Sequence, residues 1–369
     1  MKKKLLCLLC ALLLGALLAP AGSASTDAAQ EYALETQESA LRAAPESVRD
    51  YFSSGGSDIS VAGILELIRQ ELSDAGALLS APIKIFASMT AIMLLYAVAV
   101  NIAPSKLGGA SVAVRAAASL SVAAAVSTGV VAMVESAFAA ISLGGSFLLG
   151  FVPVYTGVVV ASGGISTASL YGVAIIALSN VISGTITVFL RPLTGIMLCL
   201  AIVAGLFDSG YLSLVDAIKR AVVWVLGISM TLFTGLVKLQ SIIAVRGDSL
   251  ALRSSRFLVS SSVPIIGASV SGALSTVSGS LGVIRNTVGV VGIASVCVIF
   301  LPCILNSVLC SAALFLSSVV GELVGARELA ATVKAIRSCV DVLTALLTFF
   351  FVAVVICTAI VMSAGGAAL

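Results

Sequence analysis

The sequence of 369 residues contains no histidine. This absence excludes imidazole chemistry, which includes His-ligated metals and the Ser-His and Cys-His nucleophiles. The sequence also lacks the phosphate-loop motif G-x-x-x-x-G-K-[ST], the zinc motif H-E-x-x-H and the aspartyl-protease motif G-x-G-D. The acids after residue 81 are scattered rather than paired on opposing segments. We therefore expect no enzymatic activity, no metal and no cofactor.

Charged residues are also scarce, at 10% of the chain, whereas soluble domains average about 25%. Hydrophobic residues make up 60%, and the mean hydropathy is +1.19. A chain this apolar needs a bilayer as its solvent. The charges are divided unevenly, because residues 25–81 hold ten of the 17 acids and three of the 20 basic residues. Two compartments are therefore expected, and nucleic acid is not an expected partner.

None of the eight cysteines is spaced C-x-x-C, and the acidic region has no cysteine, so no disulfide framework is indicated. Two of them lie in the N-terminal leader. The other six lie in or beside apolar segments, where they are interpreted as small buried hydrophobes; they are Cys199, Cys297, Cys303, Cys310, Cys339 and Cys357.

The first 81 residues predict a leader followed by an external segment. Residues 1–24 have three lysines, a short apolar run and then small residues, which is typical of a signal peptide. An uncleaved signal anchor is the alternative. Residues 25–81 are then an acidic extracytoplasmic segment, with a flexible tail that holds one short helix starting at Pro45 and Glu46. A second, amphipathic helix is predicted near residues 64–79. Its apolar face either packs on the membrane part or docks an external partner.

Residues 82–365 are predicted to be a polytopic membrane domain of the all-α class, with about seven crossings and one or more broken or re-entrant helices. Arg191-Pro192 is expected to break the fourth span, and Pro302 leaves the sixth either one kinked helix or two half-helices. The spans are predicted at 83–103, 116–141, 147–161, 168–207, 221–237, 287–320 and 342–362.

Basic residues in short loops indicate the cytosolic side. The loop with Lys106 and Arg115 and the basic loop from Lys238 to Arg256 are both expected to be cytosolic. The loops 208–220 and 322–341 are then outside, and each sums to zero charge. This arrangement requires residues 168–207 to cross the membrane once in net terms. A second crossing within residues 168–207 would reverse the predicted membrane orientation of every later span and loop.

The stretch from Phe257 to Ile284 is uncharged, yet it is built from small residues rather than bulky ones. On a helix, its small and hydroxylated residues form one face and its branched aliphatic residues form the opposite face. A small face either packs closely on another helix or lines a wetted conduit. Pro264 and four glycines also make it a candidate re-entrant element. The residues assigned to the small face are Gly267, Ser271, Gly272, Ser275, Thr276 and Gly279.

Three polar residues within the apolar segments are expected to be buried, namely Asn180, Arg191 and Asn306. An arginine in a membrane is costly and usually has a partner. Arg191 is therefore expected either to extend to the interface at a helix end beside Pro192 or to pair with Asp208 or Glu135.

The order of these features resembles the stage III sporulation protein AE family of endospore-forming bacteria. The most specific similarity is FLVSSSVPIIGASVSGALSTVSGSLGVIRNTVGVVGI, with Pro264, Arg285, Asn286 and Gly289. The preceding GLVKLQSIIA is also similar. The resemblance extends over the leader, the acidic segment and the polytopic region.

The resemblance implies a non-enzymatic integral subunit of a channel or secretion-like complex that joins mother cell and forespore during endospore development. It places the chain in the mother-cell membrane around the forespore. The implied partners are a cytosolic ATPase, further membrane subunits and ring-forming proteins of the intermembrane space. The alternative function is a stand-alone secondary transporter, because broken helices build substrate sites in that class.

Overall fold

In the computed structural model, the described residues are 38–39, 42, 44–53, 69, 75–102, 108–185, 191–206, 210–262 and 267–366. No strand occurs among them, so the all-α fold class is confirmed. They form eight helices: α1 (Glu46–Ser53), α2 (Ala75–Ile102), α3 (Gly108–Ala161), α4 (Ile165–Thr185), α5 (Arg191–Leu206), α6 (Gly210–Ser262), α7 (Gly267–Leu323) and α8 (Arg327–Gly366).

Five of these helices contain segments long and apolar enough to cross a membrane, and α4 and α5 contain shorter apolar segments. A hydrocarbon core about 30 Å thick needs about 20 helical residues. Four of the five segments are much longer, with 37 to 46 residues. The five segments are Leu79–Val100, Ala116–Ala161, Tyr211–Ser254, Gly279–Leu323 and Arg327–Ser363.

The predicted gap between the second and third spans is wrong, because α3 runs through residues 142–146 without a break. The glycines there serve packing rather than a turn. A Cβ added at Gly144 would lie 2.6 Å from Cζ of Phe300, so only glycine lets this ring approach the helix. Gly145 lies beside Ser179 of α4. Gly144 and Gly145 are therefore part of the surface through which α3 contacts α7 and α4.

The predicted basic loop from Lys238 to Arg256 is also wrong, because these residues are helical within α6. A packed stripe at helical spacing, Val237, Ser241, Ala244 and Asp248, holds this part of α6 against the bundle. The predicted loops at 208–220 and 322–341 are likewise mostly helical. In their place, α6 begins at Gly210, and a short turn with Gly325 at a φ of 86° joins α7 to α8.

The prediction of a re-entrant element is wrong for residues 267–284, since they belong to one continuous helix, α7, while residues 263–266 lie outside the described residues. Helix α7 includes Pro302, so the single-helix alternative holds for residues 287–320. Glycine is well tolerated in membrane helices, and no proline follows Pro264 until Pro302. Arg191-Pro192, where a break was predicted, stands at the start of α5, and residues 186–190 between α4 and α5 lie outside the described residues.

Between the start of α4 and the start of α6, the chain passes from one end of the bundle to the other once in net terms. The backbone amide of Ser166, at the start of α4, donates to Asp248 of α6. The chain then returns to α6 at its opposite end, where Asp216 accepts a bond from Ser338. Asp216 and Asp248 lie on one helix, about 48 Å apart at 1.5 Å per residue. Residues 166–216 must therefore travel this distance once in net terms.

The short helix predicted at Pro45 and Glu46 is confirmed as α1. Val48 is completely buried, and α1 contacts α7, so this part of the acidic segment is docked on the bundle rather than flexible. The signal peptide lies outside the described residues. So does most of the predicted amphipathic helix, of which the structure describes Arg69 and the residues from Ala75 onward.

The α7–α8 hairpin forms the centre of the bundle. In each of these helices 67% of the apolar window is buried, against 6% in α6, which lies at the periphery. On α3, three aromatic rings at four-residue spacing stack along the helix: Phe147, Phe151 and Tyr155. They pack antiparallel on α7, where Gly292 faces Phe151 and Gly289 faces Tyr155. On the other side, α2 contacts α7 at Gly321 and α3 at Gly129.

Candidate functional site

Arg285 is buried between four helices, at 4% exposure. Its guanidinium donates to the backbone carbonyl of Val361 near the end of α8. A helix C-terminus carries partial negative charge, so this position favours a cation. Among the described residues, no carboxylate lies within ion-pair distance of Arg285. A charge buried in this way in a membrane domain is costly and marks a candidate functional position.

Two buried tyrosines complete what we call the arginine site, defined as Tyr155, Tyr171, Arg285 and Thr358. The ring of Tyr155 meets that of Tyr171 edge-on, with centroids 4.9 Å apart. The Tyr171 and Thr358 hydroxyl oxygens are 3.4 Å apart. The Tyr155 hydroxyl lies near the guanidinium. Within the described part of the chain, neither that hydroxyl nor Nε of Arg285 completes a well-aligned hydrogen bond.

A second polar group, the aspartate cluster, joins α6, α7 and α8 through Lys219, Ser311, Arg337 and Asp341. Lys219 Nζ donates to Asp341 Oδ2 at 2.6 Å, and the Ser311 hydroxyl donates to Oδ1 at 2.5 Å. Arg337 Nε donates to the Ser311 hydroxyl and lies 3.9 Å from Oδ2. The Asp341 carboxylate is therefore held by two donors and a nearby guanidinium, and it is not free to act as a base.

Two further contacts extend the aspartate cluster. The Ser338 hydroxyl donates to Oδ1 of Asp216 at 2.9 Å, which adds a second link between α6 and α8. The Arg337 guanidinium carbon lies 4.7 Å from the centroid of the Phe315 ring, within cation–π range. The cluster thus fixes the register of three helices at one level of the bundle.

The arginine site and the aspartate cluster lie one bilayer thickness apart. Asp341 and Val361 are 20 residues apart on α8, which is about 30 Å along a helix. On α3, Glu135 and Tyr155 have the same separation. Residues 221–237 of α6, between Arg220 and Lys238, carry no charge. These charge-free stretches match the hydrocarbon core, with polar groups at both of its boundaries.

Asp248 lies beyond the arginine site, and it caps α4 from a different helix. Its carboxylate accepts bonds from the amides of Ser166 and Thr167 at 2.8 and 3.0 Å and from the Thr167 hydroxyl at 2.6 Å. A helix N-terminus has unpaired amides and partial positive charge, so a carboxylate is a suitable partner. The tight turn before α4 uses Gly163 at a φ of 88°.

The predicted small face is helical over its whole length, since α7 begins at Gly267. The side-chain surroundings of Ser271, Gly272, Ser275 and Thr276 lie outside the described residues. Gly279 is described, and a Cβ added there would meet no described atom within 4 Å, as at Gly282. The described part of the chain therefore leaves space at this end of the small face. Its role in packing or in lining a conduit stays a prediction.

The three polar residues expected to be buried have different surroundings. Asn180 is exposed on α4, so the prediction that it is buried is wrong for the chain by itself. Its neighbour Ser179 is the buried residue, beside Gly145 of α3. Asn306 is half-buried, and its Oδ1 lies 3.8 Å from Sγ of Cys310. The side chain of Arg191 lies outside the described residues, as do Asp208 and Pro264.

The buried arginine that the structure reveals is Arg285, which sequence reasoning had placed at the end of the small-residue segment. Asn286 beside it is half-buried, whereas Gly289 is buried against Met362 and Tyr155. The sequence signal for the burial of Arg285 is its spacing. Arg285 precedes Gly289 by four residues and Gly292 by seven, so the three residues share one face of the helix.

Cysteines and carboxylates offer little reactive chemistry in the described part of the chain. Cys297, Cys310, Cys339 and Cys357 are buried, as predicted, while Cys303 is half-buried. Cys199 is exposed, contrary to the prediction. Among the described residues, no group of three cysteines or carboxylates is arranged to hold a metal ion.

Comparison with known families agrees with these features. The family model of stage III sporulation protein AE matches residues 44–365, which extend from the residue before Pro45 to the last turn of α8. Comparison with curated proteins and with solved structures returned no match. The family match covers α1, the arginine site, the aspartate cluster and the small face together. The chain therefore belongs to the stage III sporulation protein AE family.

Proposed function

We propose that the chain is a non-enzymatic membrane subunit of the channel or secretion-like complex that joins mother cell and forespore during endospore development. The observation that carries this proposal is the family match over residues 44–365. The arrangement of polar groups agrees with it, because the carboxylates of the aspartate cluster and Asp248 are engaged in holding helices together rather than exposed in a cleft.

Within that complex, we assign the small face of α7 to contact with a neighbouring subunit or with a water-filled conduit. The open space at Gly279 and Gly282 supports this assignment. Small residues let two helix backbones approach closely, and hydroxyls tolerate water. Ser271 and Ser275 lie one turn apart on this face, so they are the positions at which a bulky side chain would obstruct either role.

The proposed orientation places the arginine site toward the cytosol and the aspartate cluster toward the extracytoplasmic side. Lys238 is exposed on α6 at the level of the arginine site, Arg246 and Arg253 are exposed beyond it, and Asp248 is the acid there. Basic residues at one end of a bundle favour the cytosol. Because α3 packs antiparallel on α7, Arg115 lies at the aspartate-cluster end of α3, so the two basic segments expected to be cytosolic are at opposite ends of the bundle. The proposed orientation follows the larger basic group, which is the one on α6.

The proposed partners follow from the family and from this orientation. A cytosolic ATPase would meet the basic end, and ring-forming proteins of the intermembrane space would meet residues 25–81. Further membrane subunits would meet the lateral surface. The proposed location is the mother-cell membrane around the forespore, and residues 1–24 are proposed to be a signal peptide.

The small face is tested by replacing Ser271 and Ser275 together with leucine. We expect the variant to insert into the membrane at a normal level but to lose crosslinking to its partners and to block sporulation. The matched control replaces Ser142 and Ser146 of α3, two exposed serines with the same spacing. The control is expected to sporulate normally. Normal sporulation and unchanged crosslinking of the Ser271→Leu/Ser275→Leu variant would contradict the proposed role.

One observation favours the second candidate, a stand-alone secondary transporter. The apolar segments of α4 and α5 are shorter than a full span, and paired short helices resemble the discontinuous helices that form binding sites in transporters. Reconstitution of the purified chain in liposomes distinguishes the two functions. Solute movement without partners would favour the transporter, whereas an inactive chain that crosslinks to several proteins in sporulating cells would favour the complex subunit.

A further inference from the structure

An exposed stripe of apolar residues and two arginines runs along α6 on the side that faces away from the bundle. Its residues follow the alternating three- and four-residue spacing of a coiled-coil seam: Leu232, Leu236, Leu239, Ile243, Arg246, Leu250 and Arg253. Leu239, Ile243 and Leu250 are 58%, 65% and 64% exposed. The packed stripe of Val237, Ser241, Ala244 and Asp248 lies on the opposite side of the helix, so the two stripes face in opposite directions.

The outer part of this stripe lies beyond the hydrocarbon core. Lys219 contacts Asp341, and α6 runs parallel to α8, because Asp216 contacts Ser338 three residues earlier on both helices. Lys238 therefore lies at about the level of Val361 and the arginine site. Residues 239–253 extend about 20 Å further at 1.5 Å per residue. We call this exposed surface, with Leu239, Ile243, Arg246, Leu250 and Arg253, the basic seam.

A lipid surface does not suit the basic seam. Amphipathic helices that bind lipid headgroups lie in the plane of the membrane. The basic seam instead continues a membrane-crossing helix that contains no proline. It is also fixed to the bundle, because Asp248 caps α4 and the Leu252 side chain packs against Gly163. This part of α6 is therefore not able to turn and lie flat.

A second copy of the chain does not suit the basic seam either. In a parallel pair, Arg246 and Arg253 would face their own copies, and like charges across a seam destabilise it. In an antiparallel pair, the two arginines would face another basic segment. The acid of this segment, Asp248, is buried and engaged with α4, so it is not available to compensate them. Neither arginine forms an ion pair with a described residue.

From these observations, we infer that the basic seam docks an amphipathic helix of a partner protein that carries two carboxylates seven residues apart. Its apolar residues would cover Leu239, Ile243 and Leu250, and its carboxylates would meet Arg246 and Arg253. Arginine is suited to this pairing, because its planar fork binds a carboxylate through two parallel bonds. The inference does not depend on a conduit along α7.

The first test measures whether lipid covers the basic seam. The full chain is placed in nanodiscs, with an environment-sensitive fluorescent amino acid at residue 232, 243 or 250. Leu232 lies on the same stripe within the hydrocarbon core and serves as the matched control. We expect brominated acyl chains to quench the probe at 232 and aqueous iodide to quench it at 243 and 250. Equal quenching by brominated lipid at all three positions would overturn the inference.

The second test measures charge preference with two synthetic helical peptides that have leucine at the seam positions and either glutamate or lysine beside them. We expect the glutamate peptide to bind the full chain in nanodiscs at least tenfold more tightly. The R246E/R253E variant should lose this preference, and R246K/R253K should keep most of it. Arg220→Glu, at the other end of the span, is the control and should bind as the unmodified chain does.

Crosslinking in sporulating cells from residues 243 and 250 distinguishes the occupants. The expected product contains a different protein and disappears in R246E/R253E, while R246K/R253K retains it. A product made of two copies of this chain would overturn the inference in favour of a homomeric contact. Equal binding of both peptides would overturn it as well. Failure of the Ser271→Leu/Ser275→Leu test would leave these results unaffected, so the two proposals fail separately.

Discussion

At the scale of single residues, the most consequential position is a buried cation without a described carboxylate partner. Arg285 is stabilised by the carbonyl of Val361 and by the C-terminal end of α8, while its Nε has no well-aligned acceptor among the described residues. Such an arrangement is expensive even at the boundary of the hydrocarbon core, because burying an ion away from water costs several kcal/mol. Its presence therefore indicates a role other than stability.

The first prediction concerns Arg285→Met. Replacing a buried charge with an apolar side chain of similar length is often neutral or stabilising, because the desolvation cost disappears with the charge. We expect the free energy of unfolding in detergent to change by less than about 2 kcal/mol, while spore formation is lost. Thermal unfolding and spore counts measure the two effects. Arg220→Met, on the exposed surface, is the control. Normal sporulation of Arg285→Met would show that the guanidinium is dispensable.

The second prediction concerns glycine at the contact between α3 and α7. A Cβ at Gly292 would lie 2.6 Å from Cε1 of Phe151, whose ring is stacked between two other aromatic rings and has little room to shift. Overpacking of this kind costs about 1–3 kcal/mol. We expect Gly292→Ala to lower the unfolding temperature in detergent.

Gly279→Ala is the matched control, because no atom of a described residue lies within 4 Å of its added Cβ. Alanine favours a helix over glycine by about 1 kcal/mol, so this variant should be as stable as the unmodified chain or slightly more stable. If the two substitutions changed the unfolding temperature equally, the close approach of Phe151 to α7 would be incorrect.

At the scale of helices, the bundle is built from few, long elements that bind one another at their ends. Asp248 is the clearest case, because a carboxylate in the middle of α6 satisfies the first amides of α4 across 81 and 82 residues of sequence. The capping residue and the helix that it caps are thus far apart in the sequence. Asp248 lies on the opposite side of α6 from the basic seam. Its bonds to α4 therefore fix this part of α6 to the start of α4.

The third prediction concerns Asp248→Ala. The substitution leaves two backbone amides and the Thr167 hydroxyl without their acceptor. Loss of a cap costs about 0.5–2 kcal/mol, and buried donors left unpaired add to this cost. We expect faster hydrogen exchange in the first turn of α4 and a lower unfolding temperature. Asp216→Ala on the same helix removes an exposed carboxylate with one serine partner, and its effect should be smaller. Equal effects would argue against the cap.

At the scale of the whole molecule, the aspartate cluster and the arginine site mark two levels about 30 Å apart along α8. Between these levels, α3, α4, α6, α7 and α8 have no charged residue. The polar contacts that fix one helix against another therefore lie at the boundaries of the hydrocarbon core, where water can solvate their outer parts. Inside the core, packing of small residues against aromatic rings holds the helices together.

The fourth prediction concerns the pair that attaches the peripheral α6 to the central hairpin. A double-mutant cycle with Lys219→Met and Asp341→Asn should give a coupling energy of about 1–3 kcal/mol, because both side chains are largely shielded from water. The control cycle uses Lys334 and Glu322, whose side chains are about half exposed. That pair should couple by less than about 1 kcal/mol. Similar coupling in the two cycles would contradict the proposed role of burial.

Some local features of the fold were predictable from the sequence, and others were not. The helix at Pro45 and Glu46 and the buried cysteines of α7 and α8 were predictable, because proline geometry and apolar composition act locally. The interruption expected at residues 142–146 was wrong, because the same glycines that favour a turn also admit the Phe300 ring. Whether a glycine ends a helix or accepts a neighbour depends on what lies opposite, which composition does not reveal.

The sequence by itself determined that this protein lies in a membrane, that its fold is all-α, and to which family it belongs. Its low charge, long apolar segments and absence of histidine are properties of composition, and the hydrophobic effect acts on composition directly. Only the tertiary structure decided that Arg285 is buried, that Asp248 caps α4 and that α6 turns a seam outward. Each of these depends on groups distant in sequence meeting at one level of the bundle, and helix packing sets that level.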